Sequence, residues 1–524
     1  MLNYWWATRP KRRLNSIPEV LACCAKVSID QEWQGRRNIH LLLEKELEDA
    51  GLKRVGERRD QTGGGGRTYL AWIMSLGLVF VQESTGCLKL TLAGESIMAG
   101  DSSVSVLKNQ ILKYQFPSSF SISRGVAVAP RFKIRPFRFL LRLLLDSNIE
   151  YLTEEEIAKI IMIEAENESE QCYRKVIERL LEFRVKGDSC LEPDFFDKYK
   201  SSKGTINPEH PFRHLTDAAN TIVNWLEYTQ LAKRDGTDKL IRIIPDKADE
   251  AKNIVNTAVP FIDRPEQHEY FQRKFGLDPK HKKDTRNLSK TRTITARMIN
   301  EQKIKQAFIT ESLKSPIVKI NASLIEKIAE QTSVDIKLVE ETLNKLYPRG
   351  AVGSFMTEYF EMAFKGRDEA TDFEKATVEL FKEVFGYETR HVGPVGLTPD
   401  VLLLSDANGY CGIIDNKAYS KYTINNDHKN RMIHNYIRGI NNYYDGELPL
   451  SFFSYIAGGF GANINSQIQS ISSETSISGS AVSVSNIISL AESHATNPFS
   501  HNRLREIFSL NRLVLLSDIN DSRH

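Results

Sequence analysis

Apolar positions recur at three- and four-residue spacing in residues 17–27 and 39–50, and this predicts two amphipathic helices near the start of the chain. Residues 77–90, GLVFVQESTGCLKL, instead alternate in two short runs about Thr85-Gly86 and predict a hairpin. Thr91 then opens another helix through Leu92, Ala93, Gly94 and Glu95. Helices followed by a hairpin is the order of a winged-helix module, which often lays one helix in the major groove of DNA. Further on, helices are expected at 153–166 and 171–183, the first capped by Thr153 with Glu156 three residues later. A helix at 215–229 runs into a strand at 240–244, again helix then strand. Phe137, Phe139, Leu140 and Leu143 have helical spacing and are candidates for the core.

Basic residues change this picture by where they fall. Arg36, Arg37, Lys53, Arg54, Arg58 and Arg59 surround the first helices, and the run Gly63-Gly64-Gly65-Gly66 precedes Arg67. Four glycines lose much backbone freedom on ordering, so the run is expected to be a flexible loop that presents Arg67. No Gly-Lys-Ser/Thr follows it, so it is not a nucleotide-binding P-loop. A second basic and aromatic stretch holds Lys113, Tyr114, Phe116, Arg124, Arg131, Lys133, Arg135 and Arg138. Such side chains suit contacts to a nucleic-acid backbone, although lysine and arginine more often only decorate a solvated surface. The candidates for DNA contact are Arg36, Arg37, Arg58, Arg59, Arg67, Lys113 and Arg135. Residues 273–319 are rich in Lys and Arg, among them Lys282, Lys283, Lys290 and Arg292, and suggest a helical arm along phosphates. Residues 466–489 are serine-rich, which suits either a low-complexity linker or a strand leading into a helix.

The chemistry concentrates in residues 373–420. A helix, FEKATVELFKEVFGY, turns Phe373, Ala376, Thr377, Leu380, Phe381 and Val384 to one side, carries Glu374, Glu379 and Glu383, and ends at Gly386. Pro399-Asp400 opens an apolar strand, a turn follows at 405–409, and the return strand ends in Asp415-Asn416-Lys417. Strand side chains alternate, so Asp415 and Lys417 share a face and Asn416 points the other way. The hairpin brings Asp400 toward Asp415. Two carboxylates and one ammonium at a sheet edge fit Mg²⁺-assisted phosphodiester hydrolysis, because Mg²⁺ takes one or two carboxylates and keeps water and phosphate for the rest. Alone, Asp-x-Lys means little; its neighbours give it weight.

Bulk properties mainly exclude. The chain has 524 residues, 41% hydrophobic and 26% charged, with a net charge of +3; this suits a multidomain globular protein. No apolar stretch reaches the roughly 20 residues of a membrane span. Basic residues follow Trp5 and Trp6 at the start, which is not the order of a secretory signal. The six cysteines are scattered without a CxxC pair, so neither a zinc ribbon nor a disulfide framework is expected.

Pro399-Asp400 and Asp415-Asn416-Lys417 match the PD…(D/E)xK nuclease motif. The run Gly412 to Ser420, the helix end Phe385-Gly386-Tyr387, the segment Phe452-Phe453-Ser454-Tyr455 with Gly458-Gly459-Phe460, and residues 479–490 resemble the cleavage domain of FokI-type restriction endonucleases. This resemblance implies that the serine-rich segment is folded. The N-terminal two-thirds resembles the AlwI-type group of type IIS and nicking endonucleases, through Leu-x-Leu-Thr-x-Ala-Gly and then Lys113-Tyr114-Gln115-Phe116-Pro117. Tyr4-Trp5-Trp6 and Arg9-Pro10-Lys11 are similar to large subunits of two-subunit enzymes of the BtsI and BsrDI kind.

The resemblances imply a multidomain α+β chain. Two helical winged-helix-like DNA-recognition domains, 1–107 and 108–255, would be followed by a basic helical linker, 256–345. An α/β nuclease domain, 346–524, would close the chain with a central mixed sheet flanked by helices. They imply Asp400 and Asp415 as metal ligands, Lys417 as the water-positioning residue and Glu379 as a helix acid of the site, with Glu374 as the alternative. The implied partners are double-stranded DNA, a smaller nuclease subunit or a transient second copy, and a cognate methyltransferase, in the cytoplasm of a prokaryote. One site per chain implies that one strand is cut. The rival readings are a non-catalytic DNA-binding regulator and a repair nuclease that recognises DNA structure.

Overall fold

The computed structural model describes residues 2–8, 10–55, 61–123, 128–200, 212–234, 239–288, 295–364, 370–393 and 396–521. It is a helix-rich α+β chain. Among the described residues there are two two-stranded sheets and one six-stranded sheet. Two compact units emerge. One comprises Met1–Ala99, Ser103–Ile309 and Ile325–Leu343; the other comprises Gly100–Ser102, Thr310–Leu324 and Asn344–His524.

In the first unit, helices Ile17–Val27, Arg37–Asp49 and Gly64–Ser75 precede an antiparallel hairpin of β1 (Val79–Val81) and β2 (Leu88–Leu90). Gly86 stands at φ +67° in its turn. Ile29 and Glu32 make isolated bridges to Leu88 and Cys87 of the hairpin, the first parallel and the second antiparallel. Thr91 caps the next helix, Leu92–Met98, by accepting from Gly94 N at 3.1 Å. The capping box of Thr153 and Glu156 is present. Helix Arg213–Tyr228 again leads into a hairpin, β3 (Ala232–Arg234) with β4 (Ile241–Ile243). Phe137 stacks on Trp225 in the core, with ring centres 6.1 Å apart. Helix His268–Phe275, within the stretch expected as a linker, is packed into this unit: Phe271 and Phe275 are buried, and Gln272 donates to Met74 O at 2.9 Å.

The glycine run is not a loop. Gly63 stands at φ +81°, and the next three glycines form the first turn of helix Gly64–Ser75. A Cβ on Gly66 would lie 2.4 Å from the His40 carbonyl oxygen. Only bare backbone lets this helix lie so close to helix Arg37–Asp49. That contact offsets the entropic cost which, on composition alone, argues against helix.

The second unit is built on a six-stranded sheet in the order β10-β9-β8-β7-β6-β5. The strands are β5 (Glu388–His391), β6 (Val401–Ser405), β7 (Tyr410–Lys417), β8 (Leu450–Ala457), β9 (Ser478–Ser483) and β10 (Arg512–Leu513). β5, β6 and β7 run antiparallel to their neighbours in that group, whereas β7 to β10 are parallel. The sheet is therefore mixed. Val401, Leu403, Ile414, Phe452 and Ile456 face one core, shared with helices Val352–Met362, Ala370–Glu383, Val484–Thr496 and His501–Phe508. Leu402, Leu404, Ile413, Phe453 and Tyr455 face the other, covered by helix Ile464–Thr475 and the π-helical segment Arg431–Ile437. The serine-rich stretch is folded throughout as helix Ile464–Thr475, β9 and the start of helix Val484–Thr496. Among its apolar residues Ile468, Ile471, Ala481 and Val482 are buried, and Ile477 is partly buried.

Two predictions follow from these contacts. Gly66→Ala should destabilise by about 1–3 kcal/mol through overpacking against a backbone oxygen. Gly65→Ala should stay within about 1 kcal/mol, since its Cβ would meet only the ends of the Glu44 and Lys53 side chains. Urea unfolding of the two variants should separate them; equal stabilities would remove the close-approach argument. Separately, His268 Nε2 accepts from Val81 N at 3.2 Å and His494 Nδ1 from Phe499 N at 3.1 Å, so both imidazoles must be neutral. Burial pulls both below the ordinary 6.5, and His501 adds to the effect on His494. A base depressed on folding leaves the unfolded chain to bind the proton first. Stability is then complete above about pH 6.5 and falls as pH drops through that value. His494→Gln should flatten part of this slope in urea titrations at several pH values.

Candidate functional site

The site sits where the N-terminal end of β6 meets the C-terminal end of β7. Val401 pairs with Ile414, and Asp400 N donates to Ile414 O at 3.1 Å. Asp400 Oδ2 accepts from Asn416 N at 2.5 Å, which anchors the carboxylate to the returning strand. Alternation along β7 places Asp415 and Lys417 on one face, and Lys417 Nζ lies 2.7 Å from Asp415 Oδ2. Asp415 is 3% exposed, and its Oδ1 is buried without a hydrogen-bond partner. On the opposite face Asn416 Nδ2 donates to Thr377 Oγ1 at 2.6 Å, as the alternation requires. Thr377 in turn contacts Tyr359 OH at 3.0 Å and donates to Phe373 O at 2.9 Å.

Of the two helix glutamates, Glu374 is the one that lies close to Asp400. A Cβ on Gly393 would lie 3.2 Å from Glu374 Oε2 and 3.3 Å from Asp400 Oδ1, so Gly393 sits between the two carboxylates. Glu374 Oε2 also lies 3.0 Å from His391 Nε2. Glu379 is five residues on, about 140° around the helix, and its charge acts on Lys382. Helix phase relative to the sheet decides between the two glutamates, and a helix sequence with acids on several sides does not reveal it.

Burial pushes the Asp400 carboxyl well above the usual range, Asp415 pushes the same way, and Lys417 opposes. Burial pulls the Lys417 ammonium down, but Asp415 and Asp400 more than offset this and hold it above its ordinary value. Asp400, Asp415 and Glu374 thus place three acids around the Lys417 ammonium. Burial, together with the charge of Asp415, also pushes the Tyr422, Tyr436 and Tyr455 phenols up, so they stay neutral beside it. Hard oxygen donors, an excess of acids over cations and an orphaned buried Oδ1 fit a divalent cation. Among the described residues, no three acid, histidine or cysteine side chains converge as a ready-made metal cluster. A pair of carboxylates completed by water and phosphate is what Mg²⁺ commonly accepts.

The basic candidates of the first unit have separate fates. Arg36 and Arg37 are exposed at the start of helix Arg37–Asp49, with Arg36 paired to Glu32. Arg67 is half-buried; its guanidinium donates to Thr62 O at 2.6 Å and Thr62 Oγ1 at 3.1 Å, near His40. It is thus part of a helix start and not the tip of a loop. Lys113 and Arg135 are turned inward, and this corrects their assignment to DNA. Lys113 Nζ donates to Phe275 O at 3.0 Å and Leu277 O at 2.7 Å, and burial pulls it down to about 7 against the pull of Asp278. Arg135 is buried, paired with Glu168 and bonded to Val259 O. Arg58, Arg59, Arg124, Lys290 and Arg292 lie outside the described residues. His391 and Thr377 were not anticipated. A histidine shortly before Pro-Asp and a threonine on the apolar side of the glutamate helix were the available signals.

Two family models match the chain. That of the FokI cleavage domain matches residues 333–515, and that of the AlwI restriction endonuclease matches residues 74–352. Among solved structures, restriction endonuclease FokI is similar at 14% identity, over 98% of this chain and 100% of that chain, with a TM-score of 0.29. FokI bound to DNA gives 14% identity, the same coverage and a TM-score of 0.28. The BpuJ1 endonuclease binding domain, in complex with pyrene- and phenanthrene-modified DNA, gives 16% identity over 52% of this chain and 96% of that chain, with a TM-score of 0.35. No curated protein matches the chain.

The Asn416–Thr377 bond supplies a test of how the site is held. Thr377→Val keeps the shape but leaves the buried Asn416 amide and Tyr359 hydroxyl without that oxygen. It should cost about 1–3 kcal/mol in urea unfolding, while Thr377→Ser stays closer to the parent. An unchanged Thr377→Val protein would show that this bond does not support the strand.

Proposed function

The chain belongs to the AlwI restriction endonuclease family, and we propose that it is a type IIS enzyme that binds a short asymmetric duplex sequence and hydrolyses a phosphodiester bond at a fixed distance outside it. The observation that carries this reading is the meeting of Asp400, Asp415 and Lys417 at one sheet end, inside the segment matched by the FokI cleavage-domain model. Asp400 and Asp415 would hold the metal, which we take to be Mg²⁺. A divalent ion there supplies charge stabilisation at the scissile phosphate and a more acidic bound water. Asp415 Oδ1 is available for it, while Oδ2 remains with Lys417. The Lys417 ammonium donates hydrogen bonds, orients the attacking water and faces the negative charge that develops on the phosphoryl oxygens. Glu374 is the helix acid of this reading.

Recognition falls to the first unit. Its order of helices and hairpin supports a winged-helix-like module, with helix Gly64–Ser75 in the recognition position. Helix, then hairpin, recurs at Arg213–Ile243, which supports a second module. One site cuts one strand, so the chain alone nicks. A double-strand break then needs a smaller nuclease subunit or a transient second copy. A cognate methyltransferase in the host cytoplasm would protect the genome from such an enzyme.

Supercoiled plasmid incubated with the purified chain and Mg²⁺ should be converted to an open circle nicked at one position. EDTA should stop the reaction and excess Mg²⁺ restore it. Asp415→Ala should slow nicking at least ~100-fold, since several kcal/mol of charge stabilisation are lost at about 1.4 kcal/mol per decade. Undiminished nicking by Asp415→Ala would place the chemistry elsewhere. Prompt linear product at low concentration would show that the chain supplies both cuts.

A further inference from the structure

His391 ends β5, and its register partner Val401 follows Asp400 directly. Val392 N donates to Asp400 O at 3.0 Å, so the strand end that carries His391 is bonded to the backbone of Asp400. From this platform His391 Nε2 reaches Glu374 Oε2 at 3.0 Å, and both side chains are half-buried. An ionised carboxylate only accepts, so Nε2 carries the proton and donates. A glutamate on a helix face otherwise samples several rotamers; this one is pinned from the sheet. Gly393 keeps the space between Glu374 and Asp400 open, since any Cβ there would crowd both carboxylates.

We propose that His391 is a positioning residue of the cleavage site, which holds the Glu374 carboxylate beside Asp400 so that it completes the negative pocket for the divalent ion. The inference rests on the nuclease reading and extends it by one residue. In this role Glu374 adds its charge to the pocket beside Asp400. His391 is then needed not for the fold of β5, which the ladder to β6 already holds, but for the rotamer of Glu374.

The test uses the 524-residue chain and Mn²⁺ as the probe, followed by calorimetric titration, with melting temperature recorded without metal. His391→Leu and Glu374→Gln should each weaken Mn²⁺ binding about tenfold, as loss of an outer partner commonly does. The double variant should be no weaker than Glu374→Gln alone. His391→Gln, which keeps a donor, should recover most of the affinity, and melting temperatures should stay close to the parent. Unchanged Mn²⁺ binding in His391→Leu, full additivity with Glu374→Gln, or a loss that tracks melting temperature would overturn the proposal. A parent chain that takes up no Mn²⁺ would overturn it as well. A chain that shows the expected pattern yet leaves plasmid intact would refute the nuclease reading and keep the positioning role.

Discussion

The second unit is organised around one buried ion pair, Asp415 with Lys417. Removing two charges from water costs several kcal/mol for each, and mutual attraction repays this only with good geometry and further hydrogen bonds. Here the attraction is present, but Asp415 Oδ1 has no partner. A buried acceptor left unpaired costs on the order of 1–3 kcal/mol. The fold carries that cost because β7 is an inner strand, tied by an antiparallel ladder to β6 and a parallel one to β8. An edge strand could relax and let water pair with Oδ1. This strand cannot, so the site keeps an acid oriented and poorly solvated, which is what a cation would relieve.

The same strand must also keep its register, because side chains alternate. A slip of one residue would turn Asn416 toward the Lys417 side and bury Asp415 and Lys417 in the helix layer. Two contacts on the far face oppose this. Asn416 bonds Thr377 of helix Ala370–Glu383, and Gly412 lies under Phe452, where a Cβ would come within 2.4 Å of the ring. The helix that brings Glu374 to the site is therefore the one that locks the strand bearing Asp415. Through Asn416, which carries no chemistry, helix phase and strand register are set together.

This coupling explains what the sequence revealed and what it withheld. Alternation and a turn sufficed to place Asp400, Asp415 and Lys417 together, because a hairpin is local. The faces of Asp415 and Asn416 were legible for the same reason. The choice between Glu374 and Glu379 was not, since it depends on how a helix is rotated against a sheet. Gly63–Gly66 were misjudged as a loop because their role is to accept the backbone of His40, far from them in the chain. Lys113 and Arg135 were misjudged for a related reason. Their charges meet backbone carbonyls near Phe275 and Val259, more than a hundred residues away, and nothing local announces those partners. The serine-rich stretch hid its order because few buried residues, at spacings split across helix, strand and helix, are enough to fold it.

The charge state of Lys417 narrows the chemistry further. A lysine beside a metal site is open to two roles: a base that takes a proton from water, or a cation that donates. Burial favours the first by destabilising the ammonium, and neighbouring carboxylates favour the second. In this pocket Asp415 and Asp400 outweigh burial, and Lys417 stays above its ordinary value. That balance favours the donating role, in which the ammonium would fix the direction of a water and meet the charge that grows on phosphorus-bound oxygen. The third acid is consistent with this division. Glu374 adds negative charge that pushes Lys417 the same way, and it is held by a neighbour on β5 without drawing on the donors that face Asp415.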